Sequence, residues 1–344
     1  MTHLHRLVAV ALVVAALAAV SPCFSQAELY SLSHPFALPT ATTTRLFGMG
    51  GFVTCIPDRG FANPAFAGAL TDTSVVARQS LTSFENGLRF KGQQASVAFP
   101  LKDDKRGMQI VGFRLTSHPS SIPMPTPVPA ALALSMSEYE LSIHYGQRVS
   151  DNLLLGVGVG PVFHNTFDMF VRPSGNHLSH ITSEADQGGR IGAVYECGSR
   201  ARLGFVYDRY EEDVVGSGPS IGGVGLPFSF TSEELAFGLS YQLTDQLLGA
   251  IEWQELSTKQ DASDLGPAMK FGDAGWRIGF EGVSESKWAY RVGSNDGSIS
   301  LGLGYLGDDD WTFNYAFIRD WNKDLVGELM GPSNTHQFEL SYKW

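Results

Sequence analysis

Side chains that could do chemistry are scattered along this chain. It has nine histidines in 344 residues. His177 and His180 form a lone spaced pair, which water solvates more often than a metal binds. Cys55 and Cys197 match no metal spacing. There is no GxSxG, HExxH, Walker loop or CxxC, and no nucleophile stands beside a convincing base. The sequence therefore reads as a non-enzyme with no implied cofactor. Its charged residues do show order. Glu138, Glu140, Arg148, Arg190, Glu196, Arg202, Glu234, Glu252, Arg277, Glu281 and Arg291 all fall on the polar face of alternating segments. Their signs are mixed, so they are expected to pair with one another and with water across a polar lumen. A charge-selective pore would concentrate one sign at a constriction.

The elements that must position these charges are strands. In 138–148, Tyr139, Leu141, Ile143 and Tyr145 alternate with Glu138, Glu140, Ser142 and His144. In 310–321, Trp311, Phe313, Tyr315 and Phe317 alternate with Thr312, Asn314 and Ala316. Period two of this kind marks strands with one apolar and one polar face. About fourteen such segments follow residue 74: 74–84, 87–100, 107–117, 136–149, 152–165, 187–197, 200–210, 232–243, 246–257, 273–283, 287–294, 297–307, 310–321 and 334–344. The second is irregular. Leu88 and Phe90 are out of phase with Val97 and Phe99, which predicts a bulge or a shifted boundary.

Short polar connections alternate with long ones at 118–135, 166–186, 211–231, 258–272 and 322–333. A transmembrane β-barrel has this asymmetry, with short turns in the periplasm and long loops outside. A soluble sandwich or propeller also alternates, with its apolar face turned inward. Aromatic residues near strand ends favour the barrel. So does the ending "HQFELSYKW", where Phe338, Leu340, Tyr342 and Trp344 make one stripe. It resembles the final-strand signal by which outer-membrane barrels engage their assembly machinery. The expected fold is thus all-β: a transmembrane antiparallel barrel of about fourteen strands in outer-membrane lipid.

Residues 1–27 read as a secretory signal peptide. Arg6 precedes the apolar run 7–20, and Ser25 and Ala27 are spaced for cleavage. That run is too short for a membrane-spanning helix, and Pro22 argues against lipidation of Cys23. The net charge of −11 argues against a nucleic-acid partner. Charged residues are only 17%, and the 38 glycines suit a β protein with many turns.

Residues 28–73 precede the barrel segments at 74–344. A barrel of this size is too wide for its own side chains to fill, and the stretch "RLFGMGGFVTCIPDRGFANPAF" is compact, apolar and broken by Gly and Pro. It is expected to plug the periplasmic end. Its pattern of Gly48, Gly50 and Gly51, then Asp58, then Asn63, Pro64 and Ala65 resembles the N-terminal hatch of the FadL-like long-chain fatty acid transporter superfamily. The last ~35 residues resemble the same superfamily, including its PorV-like branch linked to protein secretion. Phe52 stands where the family often has Ala, Cys55 is a further departure, and the chain is shorter than a typical fatty acid transporter.

The resemblance implies passive uptake of a hydrophobic or amphipathic small molecule, gated by the hatch. In the transporter branch two outer loops form a ligand groove, and a kinked strand opens the wall sideways. The matching loops, 166–186 and 211–231, carry Phe167, Met169, Phe170 and Arg172 in the first and Leu226, Phe228 and Phe230 in the second. Arg172 would meet a ligand carboxylate. The alternative is a PorV-like protein that binds a secretion partner, to which the Pro-rich segment 118–134 could contribute a docking surface. Otherwise that segment is a stiff loop. Cys55 in the hatch and Cys197 in a periplasmic turn are expected near one end, where a disulfide could tether the hatch.

Overall fold

The computed structural model describes residues 43–344 apart from 59–61, 86, 88, 102–104, 119, 124–130, 173–175, 218–225, 261–268, 296–297, 308–309 and 320–331. Residues 1–27 and the start of the plug, through residue 42, lie outside the described residues.

The strands are β1 (Ser74–Phe84), β2 (Arg89–Pro100), β3 (Arg106–His118), β4 (Ser120–Pro123), β5 (Ala131–Ser150), β6 (Leu153–Arg172), β7 (Asn176–Cys197), β8 (Ala201–Ser217), β9 (Leu226–Thr244), β10 (Leu247–Gln260), β11 (Met269–Val283), β12 (Trp288–Asn295), β13 (Ser298–Leu306), β14 (Trp311–Arg319) and β15 (Ser333–Lys343). Each pairs antiparallel with its neighbours, and β1 pairs with β15 to close the circle. The short β4 runs along β5 just beyond β3, which also pairs with β5. Together β3 and β4 make one stave, so the closed barrel has fourteen. Closure gives every stave a partner on both sides, a necessity in lipid, where no water can satisfy a bare backbone group.

Alternation sets the two faces. Tyr290 and Val292 point outward and are exposed, whereas Ala289, Arg291 and Gly293 between them are buried in the lumen. Leu141, Ile143, Ile278, Phe280, Ile299 and Leu301 continue the exposed apolar belt. Trp288, Tyr305 and Trp311 stand near the short-turn end, as an interfacial girdle does.

Two expectations resolve in the structure. Of the alternatives for β2, the shifted boundary holds and the bulge does not: the strand starts at Arg89 and its pairing with β1 and β3 is regular throughout. Phe90 is out of phase because it faces the lumen, where it is buried beside Phe84 with ring centroids 5.9 Å apart. Secondly, 166–186 and 211–231 are mostly strand. β6 runs on to Arg172, β7 starts at Asn176, β8 reaches Ser217 and β9 starts at Leu226. Pairing past the apolar belt keeps backbone groups bonded where no loop chemistry interrupts them.

The ladder is disturbed on one side. The β5–β6 register shifts between Leu141 and Ile143, opposite the stretch 159–162. Pairing of β6 with β7 lapses between Val159↔Gly189 and Phe163↔Ala185, and β7–β8 shifts between Glu184 and Gln187. Gly160 has φ 109°, and Pro161 has no N–H to give the ladder. Together they account for the break in β6.

Candidate functional site

The hatch fills the short-turn end of the lumen. Thr43 caps α1 (Thr44–Gly48), its Oγ1 accepting from Leu46 N at 3.4 Å. Gly50 and Gly51 leave the helix at φ 114° and 84°, conformations that disfavour a side chain. The chain then crosses the barrel. Asn63 starts a 3-10 turn at Pro64–Ala69 by accepting from Ala65 N at 3.0 Å. Leu46, Phe47, Met49, Phe52 and Cys55 are all buried.

The wall meets this segment with charge. Glu281 takes two hydrogen bonds from Arg45, at 2.9 and 2.6 Å, and a third from Arg291 Nε at 2.6 Å. The Arg45 contact is a bidentate, charge-assisted pair. Burial works to lower the Arg45 pKa, but the neighbouring Glu281 outweighs it and holds the group above its ordinary range. Glu252 accepts from Val53 N at 3.0 Å, Thr54 N at 2.9 Å and Thr54 Oγ1 at 2.6 Å. Arg277 bridges Glu252 to the carbonyl of Gly51. Glu339 accepts from Thr44 N at 2.9 Å. The lumenal charges pair with one another as expected, Glu252 with Arg277, Glu281 with Arg291, and Arg148 and Arg202 with Glu196, and Glu252, Arg277 and Glu281 also hold the hatch.

The wall also meets it with glycine. A Cβ at Gly156, Gly192, Gly204, Gly238, Gly279 or Gly293 would overlap hatch atoms. These residues lie on β6, β7, β8, β9, β11 and β12, so they form a seat around much of the circumference. Their glycines serve the hatch, not the turns that composition suggested.

The expected hatch residues come together here. A Cβ at Gly48 would stand 2.9 Å from Gly302 Cα, and one at Gly50 2.9 Å from Ser294 O. Asp58 accepts from Thr43 Oγ1. Asn63 Nδ2 donates to Thr54 O at 2.8 Å, Phe205 O at 3.1 Å and Ala193 O at 3.3 Å, joining the hatch to itself and to two strands. Pro64 and Ala65 rest on Gly146 and Gly156.

Other expected residues do not assemble. Cys55 and Cys197 are both free, one buried and one exposed. The expected disulfide is therefore absent. Thr54 and Cys55 rest on Gly204 inside the barrel, whereas Cys197 ends β7 at an exposed short turn. Burial, aided by Glu252, pushes the Cys55 thiol up to about 12. Phe167, Met169, Phe170 and Arg172 lie on β6, while Leu226, Phe228 and Phe230 lie on β9, with β7 and β8 between them. Among the described residues these two stretches are strand and not facing loops. Of these seven side chains only Phe230 is among the described residues, and it is buried in the lumen.

Above the hatch the lumen wall changes character. Phe84, Phe90, Phe113, Leu115, Tyr210 and Phe230 are all buried and face inward. Sequence reading missed five of these six residues. The displaced phase of Phe90 was the available signal. On the lipid side, an apolar cavity of about 450 Å³ is lined by Tyr145, Leu155, Val157, Ile191 and Phe205, with Gly156 and Gly192 in it. Asn63 and Pro64 stand directly behind those two glycines, so the wall there is only backbone thick.

No family model and no curated protein matches the sequence. Solved structures do. The Pseudomonas putida toluene transporter TodX aligns over 88% of this chain and 97% of its own, with TM-score 0.54 and 13% identity. The Ralstonia pickettii toluene transporter TbuX aligns over 89% and 99%, with TM-score 0.56 and 15% identity. A Pseudomonas aeruginosa FadL homologue aligns over 88% and 98%, with TM-score 0.54 and 14% identity. The chain has the FadL-like fold.

Proposed function

We propose that this chain is a FadL-like channel that carries hydrophobic small molecules passively across the outer membrane of a diderm bacterium. The reading rests above all on the aromatic lumen beyond the hatch. A water-filled pore has a polar interior, whereas Phe84, Phe90, Phe113, Leu115, Tyr210 and Phe230 face this lumen and are buried in it, so a ligand that displaced their present packing would meet apolar side chains. Such burial is worth ~25 cal/mol per Å². Similar folds are named as toluene transporters and monoaromatic hydrocarbon channels, which supports a compact apolar ligand. A molecule entering from the long-loop side would descend this wall and stop at the hatch. The thin wall at Gly156 and Gly192, below the break at Gly160, supports a sideways exit into the bilayer once Asn63 and Pro64 move.

Uptake of labelled toluene by cells expressing the full chain tests this. Expression should raise the initial rate above that of the empty host, and Phe90→Ser with Phe113→Ser should remove most of the gain. Equal rates with and without the chain would refute the reading.

A further inference from the structure

Three neighbouring strands of the wall contain no acid. β1, β2 and β3 have no Asp or Glu, yet β2 and β3 carry Arg89, Lys91 and Arg114. These three point away from the lumen. Arg89 and Lys91 flank Phe90, and Arg114 follows Phe113, both of which are buried on the inner face, and successive side chains of a strand alternate between faces. Register gathers them. Gln93 pairs with Arg114 and Lys91 pairs with Thr116, so Lys91 and Arg114 are diagonal neighbours ~7–8 Å apart. Arg89 is exposed and lies ~7 Å along β2 from Lys91. Among the described residues none of the three meets a carboxylate. The Arg114 guanidinium lies over the Tyr139 ring, 5.3 Å from its centroid, and its Nε donates to no acceptor.

Their height matters as much. Towards the short turns the same outer face is apolar, with Val97 and Phe99 on β2 and Met108 and Ile110 on β3. Along strands tilted ~40°, Lys91 stands ~23 Å above Pro100 and Arg114 ~20 Å above Arg106. The apolar band of such a barrel is ~25 Å tall, so the cations lie near its outer edge, at the level of outer-leaflet headgroups. Arg209, a comparable distance up β8, is neutralised by Glu211 at 2.7 Å and Glu233 at 4.0 Å. The β2–β3 cations have no such partner.

We infer that the outer face of β2 and β3 binds the phosphate of an anionic lipid in the outer leaflet, with Arg89, Lys91 and Arg114 around the headgroup and Val97 and Ile110 against its acyl chains. A guanidinium offers a fork of donors that fits phosphate oxygens, and lysine adds a point charge. A zwitterionic lipid would bring its own cation to a face that has no acid. A free anion would have no use for the apolar surface below. The inference rests on the outer-membrane placement and not on what the channel carries.

Equilibrium binding to the purified full chain in detergent micelles tests it, with bisphosphorylated lipid A, lipid A stripped of its phosphates and inorganic phosphate as probes. The phosphorylated lipid should bind at least about tenfold more tightly than the stripped one. Lys91→Gln with Arg114→Gln should abolish that preference, whereas Arg209→Gln should keep it. Unchanged binding of the stripped lipid shows that the double variant is folded. Equal binding of the two lipids by the native chain, or a preference that survives the double variant, would overturn the inference. So would inorganic phosphate that competes as well as the lipid, which would mark a free-anion site. Failure of toluene uptake would refute the channel reading and leave this inference standing.

Discussion

The two halves of the lumen are built on opposite principles. At the short-turn end the wall is polar and small, and it is matched to the hatch group by group. Glu252 takes the amides of Val53 and Thr54, Glu339 takes that of Thr44, and Ser300 and Ser240 donate to the carbonyls of Gly48 and Cys55 at 3.1 Å each. Beyond the hatch the inward-facing side chains include Phe84, Phe90, Phe113, Leu115, Tyr210 and Phe230, all buried. One half is held by hydrogen bonds to the hatch, and the other is packed largely through apolar rings.

Cys55 reports on this contrast, because its thiol is buried and held well above the usual range. The thiolate is the reactive form, so maleimide labelling of Cys55 should follow undocking of the hatch, with exposed Cys197 as the internal standard. Glu281→Ala should have the largest effect. It strands Arg45 and Arg291 without their carboxylate, a loss of about 3–5 kcal/mol, and should speed labelling about a hundredfold or more. Gly293→Ala drives a methyl into the backbone of Met49 and Gly50. At about 1–3 kcal/mol for overpacking, it should speed labelling about tenfold. Gly282→Ala, which meets nothing within 4 Å, is its silent control. Phe113→Ala lies in the other half and should leave labelling unchanged. If it matched Glu281→Ala, the two halves would not be independent.

Much of this was legible in sequence, for physical reasons. Strands reveal themselves because a wall between lipid and lumen imposes period two, and Tyr290 to Gly293 keep it cleanly. The hatch reveals itself because Gly50, Gly51 and Asn63 mark turns within an apolar stretch. The glycine seat was illegible. A lone Gly in a strand reads as a weak point or a turn until cross-strand register puts it opposite another chain segment. The aromatic lumen was nearly hidden too, since Phe90 looks like an error of phase until the inner face has two chemistries. The extensions of β6 to β9 read as loops because, outside the bilayer, apolar alternation is no longer imposed although pairing continues.

The central claim is that the hatch closes a hydrophobic path. A Cβ at Gly238 would stand 3.0 Å from Cys55 Sγ, with the Thr54 hydroxyl in its way. Gly238→Cys combined with Thr54→Ala should therefore let the native thiol lock the hatch to β9. Toluene flux through this variant in proteoliposomes should fall to background when oxidised and return on reduction. Equal flux in the two states, with the cross-link confirmed by mass spectrometry, would contradict the account.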